Sequence, residues 1–86
     1  MATWRVLIGD ELNECGETLA DIIHCTLTDD ELNVEFDDGY GMPEGKPFTA
    51  WTNTRVLFPV VYDGAEWVGS APRNPCDESS KHNGGY

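Results

Sequence analysis

Four side chains of soft-ligand type, His24, Cys25, Cys76 and His82, have the most chemistry to offer in this 86-residue chain. A structural zinc site draws four such ligands together, usually from closely spaced pairs. Only Cys76-x5-His82 has a tolerable spacing, no C-x2-C pair exists, and the adjacent His24 and Cys25 point to opposite faces of an extended strand. The set reads more simply as two buried cysteines and a surface histidine, so no metal and no other cofactor is expected. The loop DDGYG also fails as a calcium site. With Gly39 in the sixth position of such a loop, Val34 and Phe36 stand where carboxylates belong, and Gly45 replaces the closing glutamate. Nucleophilic chemistry needs a base held by a third group, and no Cys–His pair is singled out. There is neither a G-x-S-x-G elbow nor a phosphate-cradling glycine loop. A chain this short encloses a substrate pocket of ordinary size with difficulty, so it reads as a non-enzyme with no catalytic residue.

What remains is charge. Sixteen Asp and Glu against five Lys and Arg give a net charge of −11. That excludes direct nucleic-acid binding and attachment to an anionic membrane, both of which need a basic face. No apolar run approaches the ~18 residues of a membrane span. MATWRVLIGDEL does not read as a secretory signal, and three cysteines make an odd, low count. Free thiols in a reducing cytoplasm are therefore expected. The acids are unevenly placed. Residues 1–45 hold Asp10, Glu11, Glu14, Glu17, Asp21, Asp29, Asp30, Glu31, Glu35, Asp37, Asp38 and Glu44 against Arg5 alone. The rest of the chain balances Asp63, Glu66, Asp77 and Glu78 with Lys46, Arg55, Arg73 and Lys81. Asp29, Asp30 and Glu31 suit the first turn of a helix, where the dipole favours negative charge. The remainder do not serve stability. Asp10/Glu14 and Glu31/Glu35 are like-charge pairs at i, i+4, and Glu35, Asp37 and Asp38 would oppose the dipole at the end of a second helix. With no lysine among them, these acids are expected to stand unpaired and to face outward.

Carboxylates three or four residues apart on a helix stand about 5–6 Å apart, comparable to the reach between neighbouring backbone phosphates. The segments GDELNECGE and TDDELNVEFDDGYG, beside a neutral second half, resemble the small acidic inhibitors of phages and mobile elements, the DNA-mimic type of anti-CRISPR or anti-restriction protein. The resemblance lies in size, acidity and charge layout, since these inhibitors share no single fold. It implies a protein partner, the DNA-binding subunit of a host defence system. A CRISPR surveillance complex comes first and a restriction enzyme second. It also implies the bacterial cytoplasm, a monomer, and the twelve acids of residues 1–45 as the binding surface. Two other readings stand beside it. VVYDGAEWVGS is similar to the aromatic Asp-Gly hairpin of Tudor and SH3-like peptide-binding modules. An acidic accessory or antitoxin-like protein would instead neutralise a basic partner of another kind.

The elements that must position these residues follow from hydrophobic period and punctuation. Trp4, Ile8, Leu12 and Cys15, with Leu7 alongside, form one stripe of a helix from about Thr3 to Cys15, and Gly16 stops it. Residues 17–27 read as a connection with a brief extended section at Ile22 to Cys25. Thr28-Asp29-Asp30-Glu31 is a capping box that opens a second helix, whose buried face is Leu32 and Phe36 and whose end is Gly39. From Phe48 the period becomes two. FTAWT, RVLFPVVY and AEWVGS, joined by turns at Thr52–Thr54 and Asp63-Gly64, predict a three-stranded antiparallel meander. A two-residue loop at Asp63-Gly64 sets Tyr62 opposite Ala65, Val60 opposite Trp67 and Phe58 opposite Gly69. Val56, Phe58, Val60, Tyr62 and Trp67 are then expected to form the core, with Pro59 marking a bulge or an unpaired side. The opposite face, Leu57, Val61 and Val68, is also apolar and calls for a helix or a partner. The fold class is α+β: two short N-terminal helices, then the meander, in one domain over residues 1–73 with a flexible tail over 74–86.

Overall fold

The computed structural model describes residues 2–36, 45–62 and 65–80. Its one long helix, α1, spans Trp4–Glu14. Thr3 caps it, the hydroxyl accepting from the Val6 N–H at 3.3 Å. At the other end Gly16 takes φ 81°, a left-handed conformation that glycine adopts without strain. That turn lets the Glu17 N–H reach the Leu12 carbonyl at 2.8 Å and the Gly16 N–H reach Asn13 at 3.2 Å. The helix therefore closes with the paired hydrogen bonds that satisfy its last carbonyls. Trp4, Ile8 and Leu12 are buried as the stripe predicts, but Cys15 is exposed because it serves as the C-cap rather than as a further helical turn.

After α1 the chain makes a short 3-10 turn at Leu19–Asp21, then strand β1 at His24–Cys25, then helix α2 at Asp29–Leu32. Both short turns start with the same device. The Asp21 carboxylate accepts from the Thr18 N–H at 2.9 Å, and Glu31 accepts from the Thr28 N–H at 2.9 Å. The second cap was legible in the sequence. The helix behind it was expected to reach Gly39 and instead ends after four residues. Asn33 is its C-cap, and Phe36 forms an antiparallel bridge with Ala2, both N–H···O bonds measuring 2.8 Å. Pairing Phe36 with the chain start keeps its ring on the core. It also removes the like charges Glu31 and Glu35 from a shared helix face, which a longer helix would have imposed. Gly39 and the loop after it lie outside the described residues.

The sheet has four strands, one more than expected, in the order β1-β2-β3-β4 and antiparallel throughout, with β2 at Ala50–Trp51, β3 at Arg55–Tyr62 and β4 at Ala65–Pro72. The added strand is the extended section of the 17–27 connection. His24 pairs with Trp51 and Cys25 with Ala50, so the sheet recruits it through backbone bonds that two residues of pattern do not announce. The Thr52–Thr54 turn is built on Thr52, whose buried hydroxyl accepts from the Thr54 and Arg55 N–H groups. In the long hairpin Tyr62 stands opposite Ala65, Val60 opposite Trp67 and Phe58 opposite Gly69, the register the sequence predicts. Residues 63 and 64 themselves lie outside the described set. Pro59 pairs with Val68 without a bulge. The named pairs between β2 and β3 stop at Leu57, so Pro59 sits where β3 lacks that neighbour and needs no ladder donor.

The core forms on the face that the sequence reading left open. Trp4, Ile8 and Leu12 of α1 cluster with Leu27, Leu32, Phe36, Phe48, Ala50, Leu57 and Val68. Directly opposed residues of an antiparallel pair share a face, so Leu57, Val68 and Ala50 point towards the helix. Val56, Phe58, Val60, Tyr62 and Trp67 point away from it. The expected core at these five positions is thus a correction: Val60 is buried, but Tyr62 and Trp67 are 45% and 39% exposed. Both faces of β3 are apolar, and pattern alone does not say which one the helix takes. Trp4→Ala is expected to cost about 3–5 kcal/mol in denaturant unfolding, as for a large core truncation. Trp67→Ala should cost much less, because the indole remains in contact with water.

Candidate interaction surface

The expected binding surface divides once its side chains are placed. Four of the acids are held by the fold. Glu17 accepts from the hydroxyls of Thr52 and Thr54, both at 3.1 Å, and so pins the β2–β3 turn to the end of α1. Asp21 and Glu31 are the capping carboxylates. Glu11 accepts from the Ser70 hydroxyl at 2.6 Å. Two acids are paired with bases, against the expectation that all would stand alone. Asp29 lies 3.7 Å from Arg5, and Lys46 donates to Glu31. The Asp29 pair is open to water and so adds little to stability. That leaves Asp10, Glu14, Asp30 and Glu35, which are exposed and have no hydrogen-bond or ionic partner among the described residues. Asp37, Asp38 and Glu44 lie outside the described residues.

Two depressions in the surface are bordered by these acids, beside a third, of about 440 Å³, that Glu14 shares with Glu11, Arg55, Trp67 and Glu78. One, of about 230 Å³, lies between α1 and the edge strand β4, and its lining includes Asp10, Glu11, Glu14, Trp67 and Val68. The other, of about 300 Å³, includes Glu31, Glu35, Val34 and Lys46 beside Trp4 and Phe36. Their electrostatics differ. Lys46 offsets one of the two carboxylates in the second, whereas no cation among the described residues lines the first, although Arg55 lines the adjoining depression that shares Glu11 and Glu14. The α1–β4 depression is therefore lined by three carboxylates and by no cation among the described residues.

Beside it lies a polar network that spacing in the sequence does not reveal. Arg55 on β3 donates to the Ser70 hydroxyl at 2.9 Å and to both oxygens of Glu78 at 3.0 Å. Ser70 in turn donates to Glu11, while Cys15 Sγ lies 3.6 Å from the same hydroxyl. The network joins α1, β3, β4 and the segment after Arg73. Its bonded partners are 15 to 59 residues apart in sequence, and only the packing of α1 on β4 brings them together. Arg55 Nε is buried with no hydrogen-bond partner among the described residues. The cysteines are free, with Cys15 and Cys76 exposed and Cys25 half-buried, so the expected burial of two of them does not hold. His24 and Cys25 sit on opposite faces of β1, and His82 lies outside the described residues. Among the described residues no three ligand-type side chains come together around a metal position, and no helix is long and apolar enough to cross a membrane. Comparison with protein families, curated proteins and solved structures finds no match, so geometry and charge alone carry the functional reading.

Two measurements test this description. The hydrogen bond from Lys46, with that from the Thr28 N–H, holds the Glu31 carboxyl below its ordinary value of 4.5, at about 2. A depressed carboxyl stabilises the fold above its unfolded pKa, and this contribution is lost as pH falls through the folded one. Stability should therefore decline between pH 4.5 and about 2, and Glu31→Gln should flatten part of that decline in urea titrations. An identical pH dependence in the variant would remove Glu31 from the account. Thiol titration of denatured, unreduced protein should return all three cysteines.

Proposed function

We propose that the protein is an acidic inhibitor that occupies the DNA-binding site of a bacterial defence protein and excludes its DNA. A CRISPR surveillance complex is the first target and a restriction enzyme the second. The observation that carries the reading is the row Asp10 and Glu14 on α1, exposed, without a partner among the described residues, and beside a depression that no cation among those residues lines. Asp30 and Glu35 form a second exposed pair in the same acidic half of the chain. Carboxylates that brace the fold would be spent internally; these four are spent on nothing the described residues contain. Asp10 and Glu14 stand one helical turn apart on α1, and unpaired negative charge at that density raises the rate of encounter with a cationic groove built for phosphates.

The fold narrows which acids can be tested without harm to stability. Glu17 and Glu31 hold turns and caps, so reversing them confuses binding with folding. Asp10 and Glu14 to lysine, and Asp30 and Glu35 to lysine, are surface changes with small folding cost. Each pair should lower the association rate with the target by about tenfold or more and flatten its salt dependence. Duplex DNA should compete with the parent protein. A folded variant carrying all four reversals that blocks DNA binding as well as the parent would end the reading.

A further inference from the structure

The face of the sheet turned away from α1 carries a second, different kind of surface. By register it presents His24, Trp51, Val56, Phe58, Val60 and Tyr62, with Ala65, Trp67, Gly69 and Ala71 filling the β4 side. None of these ten positions is Asp, Glu, Lys or Arg, in a chain of net charge −11. None belongs to the buried cluster that α1 joins, and Tyr62 and Trp67 stand well exposed. A contiguous apolar face rich in aromatics and free of charge has the composition of an interface centre.

We propose that this face docks a protein segment that presents apolar side chains flanked by arginine or lysine. The cationic flank follows from what borders the face. Trp67 lies on the face and also lines the α1–β4 depression with Asp10, Glu11 and Glu14. A segment seated on Tyr62 and Trp67 therefore meets three carboxylates and an indole as it passes the β4 edge. A guanidinium or ammonium on an apolar stem satisfies both, ionically and by stacking on the ring. A second copy of the chain is a poor occupant. Two eight-residue strands at ~3.3 Å per residue and ~4.8 Å spacing offer only about 250 Å² per copy. Doubled, that stays below the roughly 1,200 Å² of stable interfaces. A copy would also bring its own acids to the β4 edge, where charge discourages strand-to-strand pairing. The proposal shares the Asp10 and Glu14 edge with the inhibitor reading, but its apolar face is separate and it needs no DNA-binding target.

The test uses the full chain and a synthetic peptide with a central Leu-Val-Leu block flanked by arginines, followed by the indole N–H resonances. The Trp67 signal should move and saturate. The Trp4 signal should stay, since its Nε1 is bonded inside the fold to the Lys46 carbonyl at 2.9 Å. Trp67→Ser and Tyr62→Ser, exposed positions both, should each weaken binding about tenfold. Asp10→Lys with Glu14→Lys should abolish the preference over a glutamate-flanked peptide, while Asp30→Lys with Glu35→Lys should leave it intact. A serine-block peptide that binds as tightly, or a Trp67 signal that does not move, overturns the proposal. So does sedimentation showing a dimer that Trp67→Ser dissolves, which would make a second copy the occupant. Failure of the inhibitor reading would show as no competition with DNA, a result that leaves this titration unchanged.

Discussion

Everything in the inner layer converges on the ring of Trp4. It is the first residue of α1 and almost fully buried. Its indole packs at 4.7 Å from Phe36 and 4.8 Å from Phe48, ring centre to ring centre, and donates to the Lys46 carbonyl. Gly45 lies flat against it, so close that a Cβ there would collide with the indole, and its N–H donates to the buried Glu66 at 3.1 Å. One side chain thus ties the helix start, the Phe36 bridge, the approach to the sheet and the β4 strand. In so short a chain, where surface is large relative to interior, concentrating the core on one aromatic fixes how all these segments meet.

That concentration decides what remains outside. A single three-turn helix covers one face of a four-stranded sheet and no more. The molecule is 19 Å through its thinnest direction, the depth of one helix layer on one sheet. Since α1 enters through Trp4, it must lie over Leu57 and Val68, and the equally apolar row Val56, Phe58 and Trp67 is left to water. The choice between the two faces of β3 comes from the helix's anchor and not from β3 itself. Glu66 illustrates the point. Alternation puts it on the inner face, where the Gly45 N–H makes a buried carboxylate tolerable.

How much was legible in the sequence follows the range of the interactions involved. The α1 stripe, its Thr3 and Gly16 boundaries, the Thr28 capping box and the hairpin register are encoded by residues within a few positions of one another, and local rules find them. The end of α2 is not, because Ala2 captures the backbone of Phe36 from across the chain. Nor is β1, whose two residues become a strand only through Trp51 and Ala50. Among the acids, the capping roles of Asp21 and Glu31 were local enough to read, although only the second was. Glu17 and Glu11 found their hydroxyl partners across 35 and 59 residues, beyond any spacing rule.

The acidic half is consequently two populations with different reasons to exist. Carboxylates bonded to Thr52, Thr54, Ser70 and the turn N–H groups replace water with fixed partners, and the fold accounts for them. Asp10 and Glu14 sit one helical turn apart and repel each other, with no partner among the described residues to offset it. Their position beside β4 supplies one structural rationale: negative charge next to an open edge strand keeps copies of the chain from pairing there. That rationale explains charge near the edge but not its sign, since lysine is the common edge guard and would have relieved the like-charge cost within so acidic a chain. The choice of carboxylate at both positions, where a cation would relieve that repulsion, is a cost that nothing among the described residues offsets.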